Sequence, residues 1–171
     1  MADHNLTSEQ EDECRDKIRA DLADIAQQEV DLARGKAQFP PDFDLAVWTE
    51  AFNGDEDRWK TGAVNWPVST IVNDINGILM SGAVLDGLMP WSLLKKSTPS
   101  HYEALAKHQI ISSPTKIDLE RANRIRNTMT HHYANATGED VYELVRLLEK
   151  LLPRLREELT SWLTKLGAVE P

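Results

Sequence analysis

The sequence predicts an all-α protein, an up-and-down helical bundle with a long, kinked C-terminal helix. No run of strictly alternating apolar and polar residues is long enough to indicate a strand. Apolar residues instead recur at helical spacing, and capping residues, glycines and prolines separate the helical segments. The connections between these segments are short, which is typical of a bundle of antiparallel helices.

The N-terminal region, residues 1–65, is predicted to contain two helices. A Thr-Ser-Glu-Gln sequence resembles a helix cap, so the first helix should span about residues 7–33, before a glycine that ends it. A shorter helix should follow over about residues 43–52. The segment after it has no clear pattern, and we interpret its Trp59 and Trp66 as packing anchors rather than a ligand cage.

The middle of the chain is predicted to form a buried helix from Ser69 to Met89, ended by Pro90, and a short helix over about residues 99–111. The apolar stretch 71–91 also contains three glycines and several polar residues, namely Asn73, Asp74, Asn76 and Asp86. These interruptions make it a poor candidate for a membrane span.

The last two helices have the clearest boundaries. Pro114, preceded by two serines, is suited to a first helical turn, and this helix should run to about His131 or Tyr133. Acidic residues 139–140 favour the start of the final helix, and Pro153 should bend it. Its apolar stripe comprises Val141, Leu144, Leu148, Leu151, Leu155, Leu159, Trp162 and Leu166.

Length and composition indicate a single helical domain over residues 1–171 that needs no disulfide or metal to fold. Cys14 is the only cysteine, and no Cys/His spacing resembles a zinc site, so we expect neither a metal nor a cofactor. No basic and then apolar stretch at the N-terminus resembles a signal peptide. We therefore expect a soluble, cytoplasmic protein without a membrane segment.

The net charge of −9 argues against broad electrostatic binding of nucleic acid. The segment 115–133 differs from the whole chain, because it holds four cations against two acids, together with two histidines. If the protein binds RNA, the contacts should lie on this segment, with Lys116, Arg121 and Arg124 as candidate RNA-binding residues.

Arg126 and His131 are the residues most suited to chemistry. Cleavage of RNA without a metal uses the ribose 2′-hydroxyl as nucleophile, so the protein has only to move protons and to stabilise charge on the phosphoryl oxygens. Histidine suits the first task, because its pKa of about 6.5 is close to neutrality. Arginine suits the second, because it stays charged and presents a planar fork of donors.

Helical geometry complicates this pairing. At about 100° per residue, Arg126 and His131 are about 140° apart, whereas Asn127 and His131 share a face. The pair can converge if the arginine side chain curls, if the helix loosens near His131, or if a second subunit completes the site. The third route favours a homodimer, in which a two-fold axis brings two copies of each residue into one groove.

The pattern Arg-Asn-x-x-x-His-x-Tyr at residues 126–133 resembles the Arg-x4-6-His motif of the HEPN superfamily, and most of all that of HepT toxins from bacterial HEPN–nucleotidyltransferase toxin–antitoxin pairs. The segment 100–111 and the Leu-Leu-Pro-Arg-Leu sequence in 141–163 are also similar to the family's flanking helices. The resemblance covers a HEPN core of about residues 69–165. It leaves out residues 1–65.

The resemblance implies a metal-independent endoribonuclease, a homodimer with the motif in the interfacial cleft, and a minimal nucleotidyltransferase as antitoxin, with which the chain would form a hetero-oligomer. By position, Arg126 would stabilise the phosphate, His131 would be the acid and base, and Asn127 would orient them. Tyr133 would be the tyrosine that the antitoxin adenylylates. His132 lies where these toxins often have an acidic residue, so it is a secondary candidate for acid–base chemistry.

Two other interpretations remain open. In the first, the chain is a non-catalytic HEPN module that binds or dimerises as the partner of a nucleotidyltransferase. The acidic net charge favours it, and the complete set of motif residues opposes it. In the second, the chain is an unrelated four-helix protein in which the short motif arises by chance.

Overall fold

A computed structural model of the chain describes residues 6–39, 43–54, 58–94, 100–131 and 136–170, with Arg58, Trp59, Ser100 and His131 described by their backbone alone. Six α-helices and no strand occur over these ranges, so the prediction of an all-α fold is confirmed. The helices are α1 (Ser8–Lys36), α2 (Leu45–Asn53), α3 (Arg58–Leu85), α4 (Ser100–Lys107), α5 (Ser113–His131) and α6 (Gly138–Lys165). A short 3-10 turn, Trp91–Leu93, follows α3.

Helix α1 begins as its cap predicts. The Thr7 side chain accepts a hydrogen bond from the Gln10 backbone N–H, and the Gln10 side chain accepts one from the Thr7 backbone N–H. Each bond satisfies a donor that the first helical turn leaves free. At its other end, α1 extends through Gly35 to Lys36 instead of ending before the glycine. Gly35 is buried there against α3.

Helices α1 and α3 are antiparallel and very close. A Cβ built on Gly35 would lie 2.3 Å from the carbonyl oxygen of Ala63, and one built on Gly77 would lie 2.1 Å from Asp21 Oδ2. Pro67 has no N–H with which to bond that same Ala63 carbonyl one turn earlier. Gly35 therefore packs against a backbone group that the proline has left exposed.

Helix α3 starts at Arg58, eleven residues before the predicted Ser69. The earlier start places Trp66 on this helix and corrects its interpretation as a packing anchor. Its buried face includes Val64, Val68 and Ile71, whereas Trp66 lies on another side and is 72% exposed. Trp66 is therefore not a packing anchor. The side chain of Trp59 lies outside the described residues.

Helix α6 buries most of its predicted apolar stripe, from Val141 to Trp162, and Leu166 packs against the same core while partly exposed. It lies antiparallel to α1. Two ion pairs fix this register, Arg156 with Glu29 and Lys36 with Glu149. Pro153 lies inside α6, and the bend expected there stays a prediction.

One stretch of α3, Lys60–Leu85, is long and apolar enough to cross a membrane by those two criteria alone. However, 61% of its most apolar window is buried inside the bundle, as in the core helix of a helical domain. Its central position lets α3 contact α1 on one side and α5 on the other.

Candidate active site

Helix α5 lies antiparallel to α3, and two side-chain contacts fix the register. The Arg126 guanidinium donates through NH2 to Asn73 Oδ1. One turn back along α5, Asn123 Oδ1 accepts a hydrogen bond from Asn76 Nδ2 at 3.1 Å. Both contacts bring α5 polar groups against α3 carboxamides.

The Arg126 guanidinium is half-buried, and both of its hydrogen-bond partners are neutral. NH1 donates to Asn127 Oδ1 at 2.7 Å, and NH2 donates to Asn73. No carboxylate in the described part of the chain forms an ion pair with it, and Nε is buried without a hydrogen-bond partner there. Burial lowers the pKa of this guanidinium, which is the expected effect of losing water without gaining a counter-charge.

Such a group is suited to binding an anion. A buried cation is normally paired with an acid, because an unpaired charge in a poorly solvated place is destabilising. Here the two carboxamide oxygens fix the orientation of the fork and leave its positive charge uncompensated. A phosphate group at the accessible end of the fork would supply the missing charge.

Beside the Arg126–Asn73 contact lies a chain of hydrogen bonds between neutral side chains, from Tyr102 to Asn76 to Asn123. We call the two together the amide seam (Asn73, Asn76, Tyr102, Asn123 and Arg126). The hydroxyl of Tyr102 donates to Asn76 Oδ1, and Asn76 in turn donates to Asn123. Tyr102 is 1% exposed, and burial raises the pKa of its hydroxyl, so it remains a donor near neutral pH. The seam joins α3, α4 and α5 around Arg126, and the guanidinium itself is held by its hydrogen bonds to Asn73 and Asn127.

The location of the predicted partner His131 is given only by its backbone. Helix α5 continues as an α-helix to His131, while its side chain, together with His132 and Tyr133, lies outside the described residues. Three ways were considered in which Arg126 and His131 could meet. The structure describes a contact that bears on one of them, the curling of the Arg126 side chain. The Arg126 fork bends toward Asn127, which by helical spacing shares a face with His131. Their meeting stays a prediction.

The three cations predicted to bind RNA have different surroundings. Lys116 forms an ion pair with Glu103 and lies 3.8 Å from Glu120, and Arg121 forms one with Glu143. Arg124 is exposed and has no ion pair within the described ranges. Arg124 is therefore the cation best placed to contact a phosphate, although RNA binding by all three stays a prediction.

Three residues of the amide seam were not predicted from the sequence, namely Asn73, Asn76 and Asn123. The signal was present, because Asn73 and Asn76 interrupt an otherwise apolar stretch. Polar residues three apart on a buried helix lie on one face, which indicates a hydrogen-bonded seam. No cluster of three or more His, Cys, Asp or Glu side chains in the described residues could hold a metal ion.

The region that carries this geometry also has a recognisable family signature. Residues 89–161 match the family model for HepT-like ribonucleases. This HepT-like segment spans less than half of the chain and includes Arg126, Asn127 and residues 131–133. No curated protein and no solved structure matches the chain.

The match over residues 89–161 confirms the resemblance to HepT proteins for that part of the predicted core, 69–165, which contains the motif. It leaves out α1, α2 and α3, and hence Asn73 and Asn76, which contact the segment from outside. The candidate site is therefore built from two parts of the chain, one with the family signature and one without it.

Proposed function

We propose that the protein is a metal-independent endoribonuclease toxin. The observation that carries the proposal is the half-buried Arg126, which has no counter-charge among the described residues and lies inside the HepT-like segment. A guanidinium in this state favours a substrate with a phosphodiester over a neutral one.

In the proposed reaction, the ribose 2′-oxygen attacks the adjacent phosphorus and the 5′-oxygen of the next nucleotide leaves. The products are a 2′,3′-cyclic phosphate and a free 5′-hydroxyl. Arg126 stabilises the charge on the non-bridging oxygens, and Asn127 holds the guanidinium by the 2.7 Å hydrogen bond. His131 moves the proton between the attacking and leaving oxygens, with His132 as the secondary candidate.

The proposal includes an assembly and a means of silencing. A homodimer would bring two copies of the motif into one groove, in which the RNA substrate would bind. We expect the protein to act in the cytoplasm. A minimal nucleotidyltransferase antitoxin would form a hetero-oligomer with the chain and adenylylate Tyr133. The added AMP would place bulk and negative charge two residues from His131, and so would block the groove and repel RNA.

The test is cleavage of a mixed RNA pool by wild type, Arg126→Ala and His131→Ala in the presence of EDTA. We expect wild type to cleave and to leave cyclic phosphate ends, and each variant to lose at least about a hundredfold in rate, as when a transition-state donor is removed. Arg156→Ala is the matched control, because Arg156 is an exposed arginine on α6, paired with Glu29 and remote from the motif. It should retain full activity.

Circular dichroism should show the same helical content in all four proteins. Cleavage that persists in both motif variants, or cleavage that EDTA abolishes, would refute the mechanism. If wild type binds RNA or a nucleotidyltransferase but cleaves nothing, the non-catalytic HEPN interpretation replaces it.

A further inference from the structure

A small cleft lies beside the candidate site, among α2, α3, the C-terminal end of α5 and the start of α6. Its lining includes Asn65, Trp66 and Ser69 from α3, and Met129 and Thr130 from α5. Its volume is about 270 Å³, and its walls are mainly apolar. A cleft of this size is just below the roughly 300–1,000 Å³ of pockets for drug-sized ligands, so it suits one planar ring system.

Trp66 is the most exposed of the large apolar side chains in the described part of the chain, at 72%. An exposed indole leaves a large apolar face in contact with water, which is unfavourable unless a ligand covers it. Aromatic side chains beside a phosphate-binding group are the usual platforms on which unpaired bases of single-stranded nucleic acid stack. Trp66 therefore offers one wall of a base-binding site.

Asn65 adds a polar group to the same cleft. Its Oδ1 is buried and has no hydrogen-bond partner in the part of the chain that the structure describes. Buried polar atoms of native proteins are almost always paired, so a rotation of this side chain that turns Oδ1 into the cleft toward a donor would be favourable. A carboxamide carries a donor and an acceptor side by side, and this pattern matches the edge of a nucleobase.

The register of α3 against α5 links this cleft to Arg126. Arg126 contacts Asn73, and one helical turn further on, Thr130 lines the cleft opposite Ser69. Thr130 also donates a hydrogen bond to the Arg126 carbonyl at 2.6 Å, and α5 is helical throughout this stretch. Four residues of helix span about 6 Å along the axis, and Trp66 lies seven residues, or about 10 Å, from Asn73 along α3. A base next to a phosphate held at Arg126 can therefore reach Trp66.

We propose that this cleft is a nucleobase subsite, in which an unpaired base flanking the cleaved phosphodiester stacks on Trp66 and bonds through its edge to Asn65. The proposal rests on the proposed ribonuclease function and adds to it a determinant of substrate choice outside the HepT-like segment. A second copy of this chain is the alternative occupant. The small volume, the unpaired carboxamide and the closeness to Arg126 favour a base.

The test compares Trp66→Ala, Trp66→Phe and wild type in cleavage of a single-stranded oligoribonucleotide. We expect Trp66→Ala to raise KM about tenfold with a much smaller change in kcat, because stacking binds the ground state and transition state alike. Trp66→Phe keeps an aromatic face and should stay within about threefold of wild type. Ile117→Ala is the control, since Ile117 is 62% exposed on α5 far from the cleft, and it should not change KM.

A second variant examines the polar contact. Asn65→Leu should change which nucleotide flanks the cleaved bond, read by sequencing the product ends, without a loss of helical content. Unchanged KM in Trp66→Ala together with unchanged flanking nucleotides in Asn65→Leu would overturn the subsite.

Two further measurements distinguish base stacking on Trp66 from a dimer contact, and RNA binding from RNA cleavage. Sedimentation of wild type and Trp66→Ala addresses the dimer contact, because a shift to monomer in the variant would overturn the base-binding role. Fluorescence anisotropy of the same labelled oligoribonucleotide, with His131→Ala as the background, measures binding without cleavage. If wild type cleaves no RNA but Trp66→Ala still weakens binding about tenfold, the nuclease proposal fails and the subsite stands.

Discussion

Helix α3 carries two polar seams of opposite character, and adjacent residues belong to different seams. Asn73 faces α5 and joins the amide seam, where the charged group is the cation of Arg126. Asp74 faces α1 and joins an acidic seam, which we define as Lys17, Asp21, Asp24 and Asp74. Helix α3 thus separates a cation surrounded by neutral side chains from a cluster of three carboxylates and one lysine.

The acidic seam has only partial charge balance. Lys17 bonds both oxygens of Asp21, at 2.8 and 2.9 Å, while Asp74 is partly buried beside Asp24 and no donor among the described residues bonds its Oδ2. Burial, followed by the charges of Asp24 and Asp21, raises the pKa of Asp74 to about 7. This seam would repel a phosphate, so of the two sides of α3 only the one that faces α5 is suited to binding an anion.

The largest expected effect comes from placing an acid in the amide seam. Asn73→Asp should form a charge-assisted pair with Arg126 and so neutralise the cation that would bind the phosphate in the proposed reaction. We expect kcat/KM for RNA to fall about a hundredfold, while stability to urea is unchanged or higher. Steady-state cleavage and urea unfolding measure the two quantities. Full activity in this variant would show that Arg126 does not act through its free charge.

A smaller effect should follow from disturbing the packing of α1 on α3. Gly35→Ala would place Cβ against the backbone oxygen of Ala63, which no side-chain movement can relieve. We expect a loss of about 2 kcal/mol in the free energy of unfolding, as for other overpacked sites. Gly62→Ala is the matched control for stability, because its Cβ would meet no atom within 4 Å. Equal stability of both variants would contradict the close approach.

The smallest effect is a pH dependence of stability. Because the folded pKa of Asp74 is raised, the folded state holds its proton more tightly than the unfolded state. This contribution to stability is complete below about pH 4 and is lost as the pH rises through about 7. Asp74→Asn should remove the loss and make the protein more stable at pH 8, by less than about 1 kcal/mol after solvent screening.

Urea unfolding of wild type and Asp74→Asn at pH 5 and pH 8 would check this pattern. RNA cleavage by Asp74→Asn should match wild type, since the residue faces away from Arg126. A variant that gains stability equally at both pH values would point to a cause other than titration of this carboxyl.

Local features of the sequence were enough to predict the fold class, most helix boundaries to within a few residues, and the location of Arg126 on a helix that continues to His131. Caps such as Thr7 and the apolar stripe of α6 act within a few residues, so their consequences can be read without knowing their neighbours. The start of α3 could not be read in this way, because Pro67 normally interrupts a helix, yet here it lies inside α3, which packs closely on α1 at Gly35.

What the sequence by itself determined is therefore the set of helices and the chemical types in the motif, a guanidinium, a carboxamide and imidazoles. The tertiary structure decided the environment of that guanidinium. Asn73 lies 53 residues away along the chain, yet its carboxamide occupies the place where a carboxylate would have neutralised Arg126. Whether a charge is compensated depends on contacts between distant segments, and no local pattern around residue 126 specifies them.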